Sequence, residues 1–344
     1  MSILSATPDE KGGRTWLNSM ASVKKTGRFR RLALAQWTDN QRERRLAQAV
    51  TLAKANGHDD GHHGDGHGGG HHDGPPHTFE AKYDADPKVP YRWGMAIDND
   101  RCDGCNACVA ACYIENNIPV VGEAQAINHR EMSWLRVERY IGEGHVGGGA
   151  ERRPIPRLEE LGKLDIRYVA MPCQQCGAAP CEAVCPTLAT YHNKEGLNGM
   201  IYNRCAGTRY CANNCSYKVR RFNYFDYGQE NFPGMLGMML NPDVTVRQQG
   251  VMEKCSFCVQ RIEHGRQLAK DEDRPIADGE VNVACAAACP TNSITFGNLR
   301  DDTSQVVKEA DQPNRSYHLL QELNLRSSIT YLAKVNREDP EGVA

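Results

Sequence analysis

The fifteen cysteines of this 344-residue chain come in four tight groups. The first reads Cys102-x-x-Cys105-x-x-Cys108-x-x-x-Cys112, and the second Cys173-x-x-Cys176-x-x-x-x-Cys181-x-x-x-Cys185-Pro186. The third is Cys205-x-x-Thr208-x-x-Cys211-x-x-x-Cys215; the fourth opens with Cys255-x-x-Cys258 and closes with Cys285-x-x-x-Cys289-Pro290. Three thiolates two residues apart wrap a loop around one cuboidal iron–sulfur core and aim backbone N–H groups at its sulfides. The fourth, a helical turn further on, faces away and serves a neighbouring core. Zinc also uses paired Cys-x-x-Cys motifs, but four ligands fill a zinc site, and a third cysteine two residues after the second adds nothing to it. Iron–sulfur chemistry is the reading these spacings favour.

The third group has a threonine where the repeat calls for its second cysteine. Two outcomes are open: a full cubane with an unusual oxygen ligand from Thr208, or a core that lacks one iron. A threonine hydroxyl is a hard donor that ionises far above neutral pH, whereas iron in these cores is held by thiolate. The three-iron core is therefore favoured, and with it a different reduction potential. Groups two and four end in Cys-Pro, as bacterial ferredoxin loops do, and group three ends in Cys215-Ser216. Arg209, Lys218, Arg220 and Arg221 follow closely on Cys205, Cys211 and Cys215, so either they tune the odd core or dock a partner, or they form a solvated basic patch.

Composition narrows the class. An odd number of cysteines at spacings of two or three argues against a disulfide framework. A formal net charge of -2 favours neither nucleic acid nor an acidic substrate. The most apolar stretch, Phe232-Pro-Gly-Met-Leu-Gly-Met-Met-Leu240, is too short to span a bilayer, so membrane attachment needs another subunit. Residues 1–21 lack the pattern of a secretory signal, and Leu32-Ala-Leu-Ala35 after Arg30-Arg31 is too short for a twin-arginine export signal. Work outside the cytoplasm would then require export with a partner. No Ser/His/Asp or Cys/His nucleophile constellation is evident, and no catalytic substrate site of the chain's own is expected.

These loops need elements to position them. Residues 1–56 form a basic arm, with eleven Lys and Arg against four acids, and Leu32–Ala55 is expected to be helical, a solvated helix more than a docking one. Residues 57–90 collapse into Gly, His and Asp, including His58, His62, His63, His67, His71, His72 and His77; a flexible tether is the default, with weak zinc or copper binding the alternative. Residues 91–300 carry all the cysteines. Within them Tyr91–Asp98 and Trp134–Tyr140 read as strands, and Ala189–His192 and Met200–Tyr202 as a hairpin about Asn193-Lys-Glu-Gly196. Ser293–Phe296 looks like the equivalent of that hairpin after group four, and residues 259–284 are an insertion within that group's binding loop. Residues 301–344 form a C-terminal extension, in which the tail from Tyr317 to Val335 gives a short helix and then Ile329-Thr-Tyr-Leu332. A unit of cysteine group, short helix and strand pair repeated four times predicts an α+β fold of two ferredoxin-like modules, each with two clusters.

The order of the groups, the long insertion in the last and the basic run after the third resemble, over roughly residues 91–300, the iron–sulfur electron-transfer subunits of the molybdopterin oxidoreductase (DMSO reductase) superfamily. The resemblance implies crossed ligation. One cluster would take Cys102, Cys105, Cys108 and Cys289; a second Cys112, Cys255, Cys258 and Cys285; a third Cys173, Cys176, Cys181 and Cys215; the odd one Cys185, Cys205 and Cys211. It thus implies three [4Fe-4S] clusters and one [3Fe-4S] cluster. Glu115-Asn-Asn-Ile-Pro-Val-Val-Gly122, Arg130-Glu-Met-Ser-Trp-Leu-Arg136, the run from Tyr202 to Asn223 and Leu319-Leu-Gln-Glu-Leu-Asn324 look like the iron–sulfur part of alternative complex III, a quinol oxidase assembly. That part is commonly fused behind a large molybdenum-enzyme-like domain, which the basic arm and tether replace here, so the large partner would be a separate chain. The resemblance further implies an integral membrane quinol-binding subunit, c-type cytochrome subunits, no nucleic acid, and a peripheral place on the membrane, periplasmic in preference to cytoplasmic. A subunit of a true molybdenum enzyme acting on a sulfur or nitrogen oxyanion is the alternative.

Overall fold

The computed structural model describes residues 26, 27, 33, 36, 41, 44–57, 88–141, 165–228, 232 and 234–337. Residues 34–344 form one unit, and of residues 1–33 only Thr26, Gly27 and Ala33 are described. The strands are β1 Ala49–Thr51, β2 Trp93–Asp98, β3 Arg136–Ile141, β4 Ile166–Met171, β5 Thr190–His192, β6 Asn198–Met200, β7 Arg221–Phe222, β8 Met252–Glu253, β9 Ile294–Asn298, β10 Ser316–Tyr317, β11 Ile329–Leu332 and β12 Lys334–Asn336. The helices are α1 Leu52–Ala55, α2 Ala107–Glu115, α3 Glu123–Ile127, α4 Pro180–Ala183, α5 Tyr210–Asn214, α6 Val259–Asp271, α7 Ala284–Ala287 and α8 Gln305–Ala310. Helix and strand are mixed along the chain, an α+β arrangement.

Strand β2 organises the first and fourth cysteine groups. All six of its residues are buried, as befits a strand with neighbours on both edges and both faces covered. It lies inside a four-stranded sheet of order β10-β11-β2-β9, parallel to β11 and antiparallel to β9. Its far end runs straight into Cys102, while β9 leads away from Cys289; the pairing of Ile97 with Ile294 therefore brings the start of group one to the end of group four. Trp93 stacks between Tyr91 and Phe296, with ring centroids 5.5 Å apart on each side. Strands β3 and β4 make an antiparallel ribbon from Arg136 opposite Met171 to Ile141 opposite Ile166, and β4 delivers the chain to Cys173 through Pro172. The 13-residue helix α6 fills the insertion of group four and buries Ile262, Gly265 and Ala269, one stripe at helical spacing.

Several elements differ from the sequence reading. The expected helix Leu32–Ala55 is helical among its described residues only at Leu52–Ala55; Ala49–Thr51 is a strand, because Lys334–Asn336 offers it a parallel partner. The segment Ser293–Phe296 makes no hairpin of its own: β9 pairs with β2, so groups one and four share a single strand pair. The hairpin after group two is present, but its second strand is Asn198–Met200, and Tyr202–Arg204 is a 3-10 turn. The stretch 301–344, set apart by sequence as an extension, contributes β11 to the interior of the main sheet, and its short helix is a 3-10 turn at Gln321–Leu323. The histidine tether and Gly147-Gly-Gly149 lie outside the described residues.

Beneath the β3–β4 ribbon a buried ion pair ties the loop before group four to the core. Arg247 Nη2 donates to Glu253 Oε2 at 3.0 Å, Trp134 Nε1 donates to the same oxygen at 3.0 Å, and the guanidinium stacks 4.9 Å above the Trp134 ring. Glu253 is fully buried and Arg247 nearly so. Removing one partner strands a charge in a site closed to solvent. Arg247→Met is expected to cost about 3–5 kcal/mol, read as a lowered denaturant midpoint under anaerobic conditions, and the double variant Arg247→Met/Glu253→Met is expected to recover most of the loss.

Candidate metal centres

The cysteine loops owe their shape to residues held at positive φ. In the first, Gly104 (φ +74°) precedes Cys105, and Asn106 (φ +62°) caps α2 ahead of Cys108. In the third, Gly207 (φ +70°) precedes Thr208, and Arg209 (φ +60°) caps α5 ahead of Cys211. Thr208 therefore stands in the position of Cys105, on a backbone that keeps the conformation of a ligand loop although the thiol is gone. The two glycines are needed for room as well as for φ: a Cβ on Gly104 would come within 2.6 Å of the Tyr168 ring, and one on Gly207 within 2.3 Å of the Gly250 carbonyl oxygen. Groups two and four share a second pattern, with Gln175 and Phe257 at positive φ just before Cys176 and Cys258.

None of the fifteen thiols is in a disulfide, and they gather in sets. Cys108 feels the charges of Cys102, Cys289 and Cys105. Cys112 has Cys255, Cys258 and Cys285 as neighbours, and Cys176 has Cys173, Cys215 and Cys181. The first two sets draw on helices α2 and α7, which pack together; in the same way α4 packs on α5. A small cavity is lined by Cys173, Cys176, Cys181 and Cys215. Cys205 and Cys211 flank Met252, whose backbone N–H donates to Cys205 Sγ at 3.4 Å. Cys185 is not among the residues of the apolar cluster that holds that pair. Among the described residues no three His, Cys, Asp or Glu side chains close on one point as ligands of a single ion do. Sets of soft sulfur donors of this kind suit an iron–sulfur core.

The sets also stand in a row. Cys285 feels Cys108 of the first set, and Cys255 of the second feels Cys173 of the third. Arg220 then has Cys181, Cys173 and Cys215 of the third set and Cys211 beside it. Cys105 is exposed, Cys102, Cys176, Cys185, Cys205 and Cys289 are partly so, and the other nine cysteines are buried.

Burial, followed by the neighbouring thiols, dominates the electrostatics. Burial pushes the Cys108 thiol up to about 12, with Cys102 and Cys289 adding to it, and Cys255 to about 12 with help from Cys173 and Cys258. Cys181 rises to about 11 by burial, although the charge of Arg220 opposes it. Such thiols stay protonated until a cation arrives, so filling these sites releases protons. Two ends differ. For Cys289 and Cys185 burial is outweighed by hydrogen bonds: Thr187 and the Ala189 N–H, 3.2 Å from the sulfur, help bring Cys185 down to about 7, and Ser293 and Thr291 lower Cys289. Both belong to Cys-Pro-Thr turns, with the threonine Oγ1 3.6 Å from the sulfur in each.

Of the four residues singled out by sequence beside the thiols, one is buried among them. Arg220 is about 5% exposed, donates from Nη2 to Thr190 Oγ1 at 2.7 Å, and leaves its Nε without a hydrogen bond. Burial works against its charge, but the surrounding thiols more than offset that. Arg209 is exposed, donating to the Tyr224 hydroxyl at 3.0 Å, and Lys218 is exposed with its amine on the Asn213 carbonyl. Arg221 points the other way, to Glu131 at 2.7 Å. Thr208 is exposed on a cleft of about 400 Å3 with His129, Arg130 and Arg209. Sequence reasoning passed over Lys254, fully buried beside Cys255 and Cys181, and Asn116, whose amide reaches two sulfurs. Lys254 adjoins a ligand-type cysteine, which was the available signal; nothing in the spacing marks Asn116.

Comparison with known proteins agrees with this geometry. Residues 101–189 match the model of a 4Fe-4S dicluster domain. That stretch holds groups one and two; near them in space lie Cys289 and Cys215, from beyond it. The chain is 36% identical over 247 residues to the iron–sulfur cluster-binding subunit of menaquinone reductase from Nitratidesulfovibrio vulgaris, covering 71% of this chain and 89% of the relative. It is 33% identical over 240 residues to a putative dimethyl sulfoxide reductase iron–sulfur subunit from Halobacterium salinarum, covering 70% and 78%. A polysulfide reductase component of Wolinella succinogenes is 30% identical over 217 residues, 63% of this chain and 82% of the relative. With thiol sets, loop geometry and relatives in agreement, the chain belongs to the iron–sulfur electron-transfer subunits of the molybdopterin oxidoreductase superfamily.

Proposed function

We propose that this chain relays electrons within a membrane-associated, quinol-linked oxidoreductase complex, akin to alternative complex III, through three [4Fe-4S] clusters and one [3Fe-4S] cluster. The observation that carries this reading is the succession of neighbouring thiol sets, most of them buried, with Thr208 seated where a further ligand of the third loop would be. Cys102, Cys105, Cys108 and Cys289 would hold the first cluster; Cys112, Cys255, Cys258 and Cys285 the second; Cys173, Cys176, Cys181 and Cys215 the third; Cys185, Cys205 and Cys211 the three-iron one. When bound, these clusters supply one-electron redox chemistry. The protein's part is to hold them in line, exclude water from the middle pair, and set their potentials through nearby charge and hydrogen bonds.

Quinol as donor is supported by the menaquinone reductase relative and by a 30% identical iron–sulfur subunit of an Hdr-like menaquinol oxidoreductase from Archaeoglobus fulgidus. No helix among the described residues is long and apolar enough to cross a membrane, so contact with quinol would come through an integral membrane subunit. A large molybdopterin-enzyme-like subunit and c-type cytochromes are the further partners of this reading, and the complex would sit on the periplasmic side. The dimethyl sulfoxide and polysulfide reductase relatives favour a second reading, service to a molybdenum enzyme acting on a sulfur or nitrogen oxyanion. Molybdopterin bound in the co-purifying large subunit distinguishes the two.

Anaerobically purified protein is expected to hold about 15 irons per chain with matching acid-labile sulfide; absence of labile sulfide overturns the reading. In Thr208→Cys the iron content is expected to rise to about 16 as the EPR signal of the oxidised three-iron centre disappears. An undiminished signal would refute the role given to Thr208. Arg220→Met removes a buried positive charge between the third set and Cys211. The potentials of those two clusters are expected to fall together, by roughly 59 mV for each tenfold change in a one-electron equilibrium, while Arg209→Met leaves them near their original values.

A further inference from the structure

Asn116 ends helix α2 and is buried at 2% exposure. Its Nδ2 lies 3.6 Å from Cys112 Sγ and 3.8 Å from Cys258 Sγ, the second of these on a segment 142 residues away in sequence. The same nitrogen is 3.1 Å from the Cys112 carbonyl oxygen. Asparagine nitrogen and oxygen are distinguished only by their partners, so the surrounding network sets the orientation. Arg261 donates to Glu115 Oε2 at 2.6 Å and keeps that carboxylate in place. Gln260 must then turn its Nε2 to Glu115 Oε1, at 2.9 Å, because its own oxygen there would face a second acceptor. That Nε2 also lies 3.2 Å from Asn116 Oδ1, and only an oxygen accepts from it. The two amide N–H groups of Asn116 are thereby left to be shared among the Cys112 carbonyl and the two sulfurs.

We propose that Asn116, oriented by Gln260 and Glu115, is a hydrogen-bond donor that raises the reduction potential of the cluster held by Cys112, Cys255, Cys258 and Cys285. The inference rests on the cluster reading above. Reduction adds an electron whose charge spreads onto the cysteine sulfurs, and a donor aimed at those sulfurs stabilises the reduced form more than the oxidised one. Among the described residues, Asn116 is the one side chain besides cysteine that hydrogen-bonds to two sulfurs of this set. It carries no charge, so its influence is confined to short range.

The test is an anaerobic EPR-monitored redox titration of the holo-protein, with iron and sulfide assayed in each sample. In Asn116→Leu, one [4Fe-4S] centre is expected to shift its reduction equilibrium threefold to tenfold toward the oxidised form, the other three centres staying in place. Gln260→Leu, on the partly exposed face of α6, frees the amide to turn and is expected to move the same centre in the same direction by less. Full clusters with all potentials unmoved in Asn116→Leu overturn the proposal. Should that variant lose iron, Gln260→Leu decides: an unmoved potential there also overturns it. Protein without labile sulfide would refute the cluster reading itself, a result distinct from filled clusters with unaltered potentials.

Discussion

A thiol buried among other thiols keeps its proton until positive charge is brought to it. That constraint governs this molecule, where Cys108, Cys112, Cys176, Cys255 and Cys285 are all held above their ordinary range first by burial and then by one another. Gathering them is costly unless a metal-containing core offsets the cost, so folding and loading of such sites are linked. The rest of the architecture serves the gathering. Strand β2 binds the beginning of group one to the end of group four, and the β3–β4 ribbon presents group two to its partners.

Compensating polarity is distributed unevenly along the row. Beside the third set lie two buried basic side chains, Arg220, which also neighbours Cys211, and Lys254, which also neighbours Cys255 of the second set. The second set has Arg261 near Cys258 and the neutral amide of Asn116 as well, and at Cys289 and Cys185 stand the hydroxyls and backbone N–H groups of a Cys-Pro-Thr turn. A full charge acts at longer range than a dipole, so Arg220 reaches two sets at once while Asn116 reaches one. A graded row of this kind gives successive centres different affinities for an electron without altering their thiolate ligands. Solvent reaches Cys105 most of all, the remaining sulfurs being partly or wholly buried.

Much of the site was readable in the spacing of residues. The three ligands within one loop lie within a few residues of each other, and Gly104 and Gly207 occur at equal offsets, so the kinship of Thr208 with Cys105 is a local property. The hairpin about Asn193–Gly196 was readable for the same reason, although its register was not. The place of β11 was opaque. Ile329–Leu332 reads as one more apolar segment near the terminus, and only its parallel pairing with β2 puts it in the core. The strand Ala49–Thr51 was hidden within a helix-forming composition and owes its shape to β12. Likewise Arg209, Lys218, Arg220 and Arg221 look alike in sequence, yet the fold turns one inward among thiols, leaves two in solvent and pairs the last with Glu131.

The sequence by itself determined the chemistry: cysteine type, number and spacing define loops that suit iron and sulfide, and the threonine in the third loop marks one of them as different. Those are short-range properties, set by how far a few residues of backbone can reach. The tertiary structure decided which distant cysteines lie beside a given loop and which polar side chains face the sulfurs. These depend on strand pairing and side-chain burial between segments more than a hundred residues apart, as with Asn116 and Cys258, and no local spacing carries that information.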